Sequence, residues 1–149
     1  MIKQILKQFF GKSEHENAEK LIRLAFIEGK IDEDQIKFIN KNIKGIIISK
    51  SGLHIDENKI ARIKMSLPTN NYQKFKLIHY LTQTFAQSNA MNEDGKQILS
   101  QVLTVLHNER SRVNELIESV SSNINFGLSL GEAYSRLGYL LKPRQVNFN

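Results

Sequence analysis

The sequence contains no cysteine, no tryptophan and only two prolines in 149 residues. Without cysteine the chain has no disulfide, no thiolate metal ligand and no thiol nucleophile. Long apolar runs are missing as well, because Ile46-Ile47-Ile48 is far shorter than the ~20 residues of a membrane span. Lys3 and Lys7 interrupt the opening segment where a secretory signal would be apolar. We therefore expect a soluble cytoplasmic protein.

Helix breakers are scarce. The chain has two prolines and eight glycines, and its apolar residues return every three or four positions. With 40% hydrophobic residues, a chain of this length makes one domain around a single core. We predict an all-α fold in which residues 1–149 form a single domain of seven to eight helices, with no strand.

Capping residues and apolar stripes predict where the helices begin and end. Residues 1–11 read as a short amphipathic helix, which we expect to close the core rather than to lie on a membrane. Ser13 begins a second helix, and Asp32 caps a third, whose isoleucine stripe runs to Ile47. Further helices are predicted over about 56–67, from about 70, from about 92, around 113–120 and over about 129–141.

A shift of sixty positions aligns two copies of one pattern. Each copy has a helix, a residue that tolerates the left-handed conformation, an apolar anchor and an N-cap residue. The aligned pairs are Gly29 with Asn89, Ile31 with Met91, Asp32 with Asn92, and Phe38 with Ile98. The pattern predicts two helical hairpins, related by an approximate twofold axis, that pack into one core.

The duplicated turn resembles the TerB-like family, named for bacterial tellurite-resistance proteins and also found in membrane-anchored J-domain co-chaperones. The family signature is a helix ending in Asp-Gly, then an apolar residue, then a Glu inside the next helix, twice in one all-helical domain. Residues 28–35 and 88–95 carry it here, and the resemblance covers about residues 15–120. It implies a non-catalytic interaction or scaffolding module of a bacterium, associated with stress such as tellurite.

Three of the four carboxylates of that signature are missing here. The Asp before Gly is Glu28 in one copy and Ser88 in the other, and the later Glu is Gln35 and Gly95. A hard cation needs several converging oxygen ligands, so the remaining Glu28 and Asp32 are weak metal candidates. A metal-responsive module is therefore the second alternative function. We expect Asp32 to act as a helix cap, and we predict no cofactor.

The positive charge is concentrated in the middle of the chain. Residues 37–76 carry nine basic and two acidic groups, a balance of +7, whereas the rest carries 12 basic and 13 acidic groups, a balance of −1. Such an excess attracts phosphate backbones or an acidic protein face. The basic residues that we predict to bind a partner are Lys37, Lys41, Lys44, Lys59 and Arg62. Because the local aromatics do not alternate with these residues, nucleic-acid binding is the first alternative and not the main prediction.

Catalytic motifs are missing from the sequence. The four histidines are far apart and none has the spacing of metal ligands. There is no nucleophile elbow, phosphate-binding loop or dinucleotide fingerprint. We therefore predict no enzymatic activity, although scattered residues can also assemble an active site.

The C-terminal segment, from Asn125 to Leu141, is more apolar than one helical face can hide. Ser129 and Glu132 form a capping box at the start of its helix. We predict that Tyr139 and Leu140 contact a protein partner or a second copy of the chain.

Overall fold

Six α-helices, a two-stranded antiparallel sheet and one 3-10 turn make up the computed structural model, which describes residues 16–56, 70–107 and 110–141. The elements are α1 (Glu16–Ile27), α2 (Glu33–Asn42), β1 (Ile46–Ser49), β2 (Gly52–Ile55), α3 (Asn71–Gln87), α4 (Glu93–His107), α5 (Arg110–Asn125), α6 (Leu130–Leu137) and the 3-10 segment Gly138–Leu141. The chain is therefore mostly helical, as predicted. The helices predicted over 1–11 and after Asp56, and the Ser13 cap, lie outside the described residues.

Helix α3 occupies the centre of the fold. It contacts α1, α2, α4, α5, α6 and the 3-10 segment. Its buried residues cover more than half of its circumference and are Phe75, Leu77, Ile78, His79, Leu81, Thr82, Thr84 and Phe85. The remaining side, which carries Tyr72, Lys76 and Gln83, is half-buried or exposed. A helix with so wide a buried face packs against several elements of the core. No helix in the described ranges is both long and apolar enough to cross a bilayer.

The turns after α1 and α3, which the sixty-residue shift aligns, have the same hydrogen bonds. Gly29 and Asn89 have positive φ, +72° and +55°. In each turn the next amide donates to the carbonyl five positions earlier, at 2.9 Å and 2.8 Å. Asp32 and Asn92 then accept backbone amides at the start of the following helix. Each copy thus has the predicted left-handed helix end and N-cap.

The isoleucine-rich stretch after α2 forms a β-hairpin, which corrects the expectation of no strand. Helix α2 ends at Asn42 and not at Ile47. Gly45, with φ +104°, reverses the chain. Ile46 and Ile48 are then buried while Ile47 is 53% exposed, the alternation of a strand with one face on the core. The isoleucine spacing suited a helical stripe, but β-branched residues beyond a glycine also favour a strand.

The C-terminal helix is shorter than predicted. Ser129 caps α6, and both hydrogen bonds of the capping box with Glu132 are present. The Ser129 hydroxyl and the Ser129 amide both donate to the Glu132 carboxylate, and these two bonds lower the pKa of the Glu132 carboxyl. The α-helix stops at Leu137, and the predicted extension to 141 is a 3-10 turn. In this turn Leu140 is 1% exposed, so its side chain packs in the core and is not available to a partner.

His79 is a buried titratable group on α3. It is 2% exposed, its ring centroid lies 6.0 Å from that of Phe75, and its Nδ1 atom has no hydrogen-bond partner in the described part of the chain. Burial lowers the pKa of His79 below its usual 6.5, because the imidazolium loses hydration.

We expect acid to destabilise the fold through His79. A base whose pKa is lowered by folding contributes stability above its unfolded pKa, and this stability is lost as the pH falls. The free energy of unfolding should therefore decrease from about pH 7.5 to about pH 5.5, and His79→Leu should flatten that decrease. Urea denaturation at the two pH values measures the free energy of unfolding. The control is His54→Gln, which replaces an exposed histidine. Equal acid sensitivity in all three proteins would contradict the assignment.

Candidate interaction surface

Four lysines form an exposed basic surface beside the hairpin. Lys37 and Lys41 lie one turn apart on α2, Lys44 follows α2, and Lys50 is in the hairpin turn. We call these four residues the lysine face. No carboxylate of the described residues forms an ion pair with any of them. Of the predicted basic residues, Lys59 and Arg62 lie outside the described residues.

Lys76 belongs to the same basic region of the sequence but has a different environment. Its Nζ atom lies 4.4 Å from the centroid of the Phe38 ring and 5.6 Å from that of Tyr80. The two rings meet edge to face at 5.6 Å. Burial raises the pKa of the Tyr80 phenol, and Tyr72, Asp32 and Asp34 add to the shift. Since its ammonium group already contacts two aromatic rings, Lys76 is not part of the lysine face.

A groove of about 590 Å³ opens between α1, α2 and the hairpin. Its lining has an apolar part, made by Phe26, Ile36 and Ile48, and a polar part that holds two members of the lysine face. The polar lining residues are Glu33, Lys37, Asn40, Ser49, Lys50 and Ser51. The volume lies within the range of small-ligand and peptide pockets.

Asn40 fixes the hairpin against α2. Its Nδ2 group donates to the carbonyl of Ile48 at 3.0 Å, and its Oδ1 atom accepts the amide of Ile48 at 2.9 Å. Ile48 lies opposite Leu53 in the sheet, so β1 is held by β2 on one edge and by Asn40 on the other. This clamp positions Lys50 at the groove.

Hydroxyl groups line the tip of the hairpin. The Ser49 and Ser51 Oγ atoms are 2.9 Å apart, and Ser51 Oγ lies 3.0 Å from Nε2 of His54. All three side chains contact solvent. Ser51 and His54 thus form a hydrogen-bonded pair that is exposed to solvent at the tip of the hairpin.

The weak metal candidates have other partners. Glu28 forms an ion pair with Lys30, at 2.9 Å between Oε2 and Nζ. The Asp32 carboxylate accepts the amides of Asp34 and Gln35, as a helix cap does. Within residues 16–56, 70–107 and 110–141, no three His, Asp or Glu side chains converge as metal ligands would.

Of the two residues predicted to form a C-terminal contact surface, Tyr139 and Leu140, one is exposed. Tyr139 is 58% exposed, whereas Leu140 is buried. Phe126, the residue after α5, belongs to the apolar segment predicted from the sequence and is 83% exposed. Truncating the chain after Val120 would delete this surface, but it would also remove the core residues Ala133, Leu140 and Leu141. Point changes at Tyr139 and Phe126 therefore test this surface better than truncation does.

Comparisons of this chain with protein-family models, curated proteins and solved structures found no match. The lysine face and the groove are therefore the features from which a function can be inferred. Three members of the lysine face, Lys37, Lys41 and Lys44, were predicted from the sequence, whereas the groove was not. The groove was missed because strand β1 forms part of it, and the isoleucines of β1 had been predicted to continue a helix.

Proposed function

We propose that this chain is a non-catalytic interaction module that binds a protein partner through the lysine face. The observation that carries the proposal is the exposure of Lys37, Lys41, Lys44 and Lys50 without ion pairs to described carboxylates. Unpaired like charges on one surface repel one another, and an acidic partner relieves that repulsion. The adjacent groove adds apolar contact area, which is what a protein interface needs beyond charge.

The TerB-like resemblance supports the same proposal from the sequence side. The two turns that the resemblance aligns share positive φ and capping hydrogen bonds. We extend the proposal to a domain built on two helical hairpins related by an approximate twofold axis, acting in the bacterial cytoplasm under stress. Superposition of α1–α2 on α3–α4 in an experimental structure tests the symmetry.

The lysine face is tested by charge reversal with a matched control. The test variant is Lys37→Glu, Lys41→Glu, Lys44→Glu, and the control is Lys20→Glu, Lys74→Glu, Arg136→Glu. Each lowers the formal net charge by six, from +6 to 0. Affinity capture from an extract of the source cells, with quantitative mass spectrometry, should show at least about tenfold loss of a partner for the test variant only. Equal partner sets for all three proteins would reject the proposal.

Nucleic-acid binding is separated from protein binding by salt and by nuclease. Because contacts to phosphate groups release counterions, the affinity for a nucleic acid falls steeply as salt is added. If the captured partner is a nucleic acid, nuclease treatment of the extract should abolish capture, and the affinity of the purified chain for DNA or RNA should drop both with salt and in the test variant. A partner that resists nuclease supports the protein proposal.

A further inference from the structure

The groove between α1, α2 and the hairpin has a composition that selects its ligand. Ile36 and Ile48 are 4% and 1% exposed, and Phe26 is half-buried, so the floor is formed by packed apolar side chains. A side chain that enters the groove meets a surface already held by the core and loses little entropy to reorganisation of the protein.

The charges around the groove are mostly positive. Lys37 and Lys50 line it, and Glu33 is its only carboxylate among the described lining residues. Lys41 and Lys44, the other two members of the lysine face, do not line the groove and lie near the end of α2 and just after it. The described lining thus has two cations and one anion, a balance that favours a ligand that carries negative charge.

The same lining argues against a polynucleotide. Single-stranded nucleic acid binds on several aromatic platforms in succession, whereas Phe26 is the one aromatic residue among the described lining residues. A volume of about 590 Å³ accommodates a small number of peptide side chains.

From these observations we infer that the groove binds an acidic peptide segment of the partner, with a bulky apolar side chain on the floor and carboxylates facing Lys37 and Lys50. The inference rests on the proposed function and names the chemistry of the partner. The Ser49 and Ser51 hydroxyls add hydrogen-bonding groups beside the groove.

The test uses short fluorescent peptides and the full chain, with binding followed by anisotropy. The probe has a central Leu-Phe pair flanked by glutamates. One comparison peptide has Ala-Ala at the centre, and another has lysines in place of the glutamates. We expect the probe to bind at least about tenfold more tightly than either comparison peptide, because one lacks the anchor and the other has the wrong charge.

Two variants with opposite expected effects place binding in the groove. Lys37→Glu with Lys50→Glu should weaken binding of the probe by about tenfold or more, whereas Glu33→Gln should tighten it by about two- to fivefold, since the one carboxylate among the described lining residues is neutralised. Lys20→Glu with Arg136→Glu changes the net charge by the same amount at two residues outside the groove lining and should have a much smaller effect. Circular dichroism and urea denaturation check that each variant is folded.

The outcomes separate this inference from the proposed function. If the Ala-Ala peptide binds as well as the probe, or if Glu33→Gln does not tighten binding, the groove inference is wrong. If no acidic peptide binds although charge reversal of the lysine face still removes a cellular partner, the groove inference fails and the interaction function stands. If the lysine face also proves irrelevant to capture, both fail.

Discussion

Replacing Gly95 by alanine is expected to destabilise the fold by about 3 kcal/mol or more. Gly95 lies in the first turn of α4, where a Cβ atom would come within 1.5 Å of the Ala90 carbonyl oxygen and 2.8 Å of the Ala90 carbonyl carbon. These are backbone atoms of the turn after α3, so no rotamer change relieves the clash. The helix start would have to move away from the turn, and Phe85, 3.2 Å from the added Cβ, would move with it.

The same substitution at Gly131 is the matched control. Gly131 lies in the first turn of α6 and has no atom within 4 Å of an added Cβ. Alanine there should be neutral or stabilise the chain by up to about 1 kcal/mol, because glycine loses more backbone entropy in a helix. Thermal unfolding should show a melting temperature about 6–12 °C below wild type for Gly95→Ala and no decrease for Gly131→Ala. A Gly95→Ala protein as stable as wild type would show that the approach of α4 to the turn is looser than described.

Replacing Gln35 by glutamate is expected to cost about 2–4 kcal/mol at neutral pH. Gln35 is 3% exposed, and its Nε2 group donates to the Thr84 hydroxyl at 2.8 Å. That hydroxyl already donates to the Tyr80 carbonyl, so a carboxylate at the same place would face an oxygen lone pair. The substitution thus removes a buried hydrogen bond and buries a charge between α2 and α3.

The cost of Gln35→Glu should depend on pH in a direction that identifies its cause. Only the ionised carboxylate carries the burial penalty, so the difference from wild type should shrink as the pH is lowered and the carboxyl becomes protonated. Gln35→Met keeps a similar volume without charge and should cost about 1 kcal/mol at every pH. Denaturant unfolding of the three proteins across the pH range measures both effects. A deficit for Gln35→Glu that does not vary with pH would point to packing and not to charge.

Gln35 and Gly95 also show why the sequence repeat predicts only part of the fold. The sixty-residue shift aligns them, and the turns before them share their hydrogen bonds. After those turns the copies differ, because Gln35 extends a buried side chain toward α3 whereas Gly95 has no room for any side chain. Both positions hold Glu in the TerB-like pattern. Local turn chemistry is readable from residue types, but the space available at each position is set by distant segments.

The hairpin and the groove escaped prediction for a related reason. Isoleucines at 43, 46 and 47 satisfy a helical period, and their short spacing does not distinguish a helix from a strand. Tertiary contacts of β1 with α2 decide it, together with the Asn40 carboxamide. Caps were more predictable, since Asp32, Asn92 and Ser129 each accept the backbone amides expected from sequence. A cap depends on residues within one turn of the chain, whereas a groove depends on three elements.

The Asn40 clamp has a consequence for self-association. An exposed strand edge is a template on which another extended chain can add by main-chain pairing, and this is a route to aggregation and fibrils. At Ile48 the carboxamide imitates a neighbouring strand and occupies both main-chain groups of that residue. A ligand arriving there has to be recognised by its side chains. At Ile48, the main chain of the isoleucine-rich hairpin is therefore closed to strand pairing with a second copy of the protein.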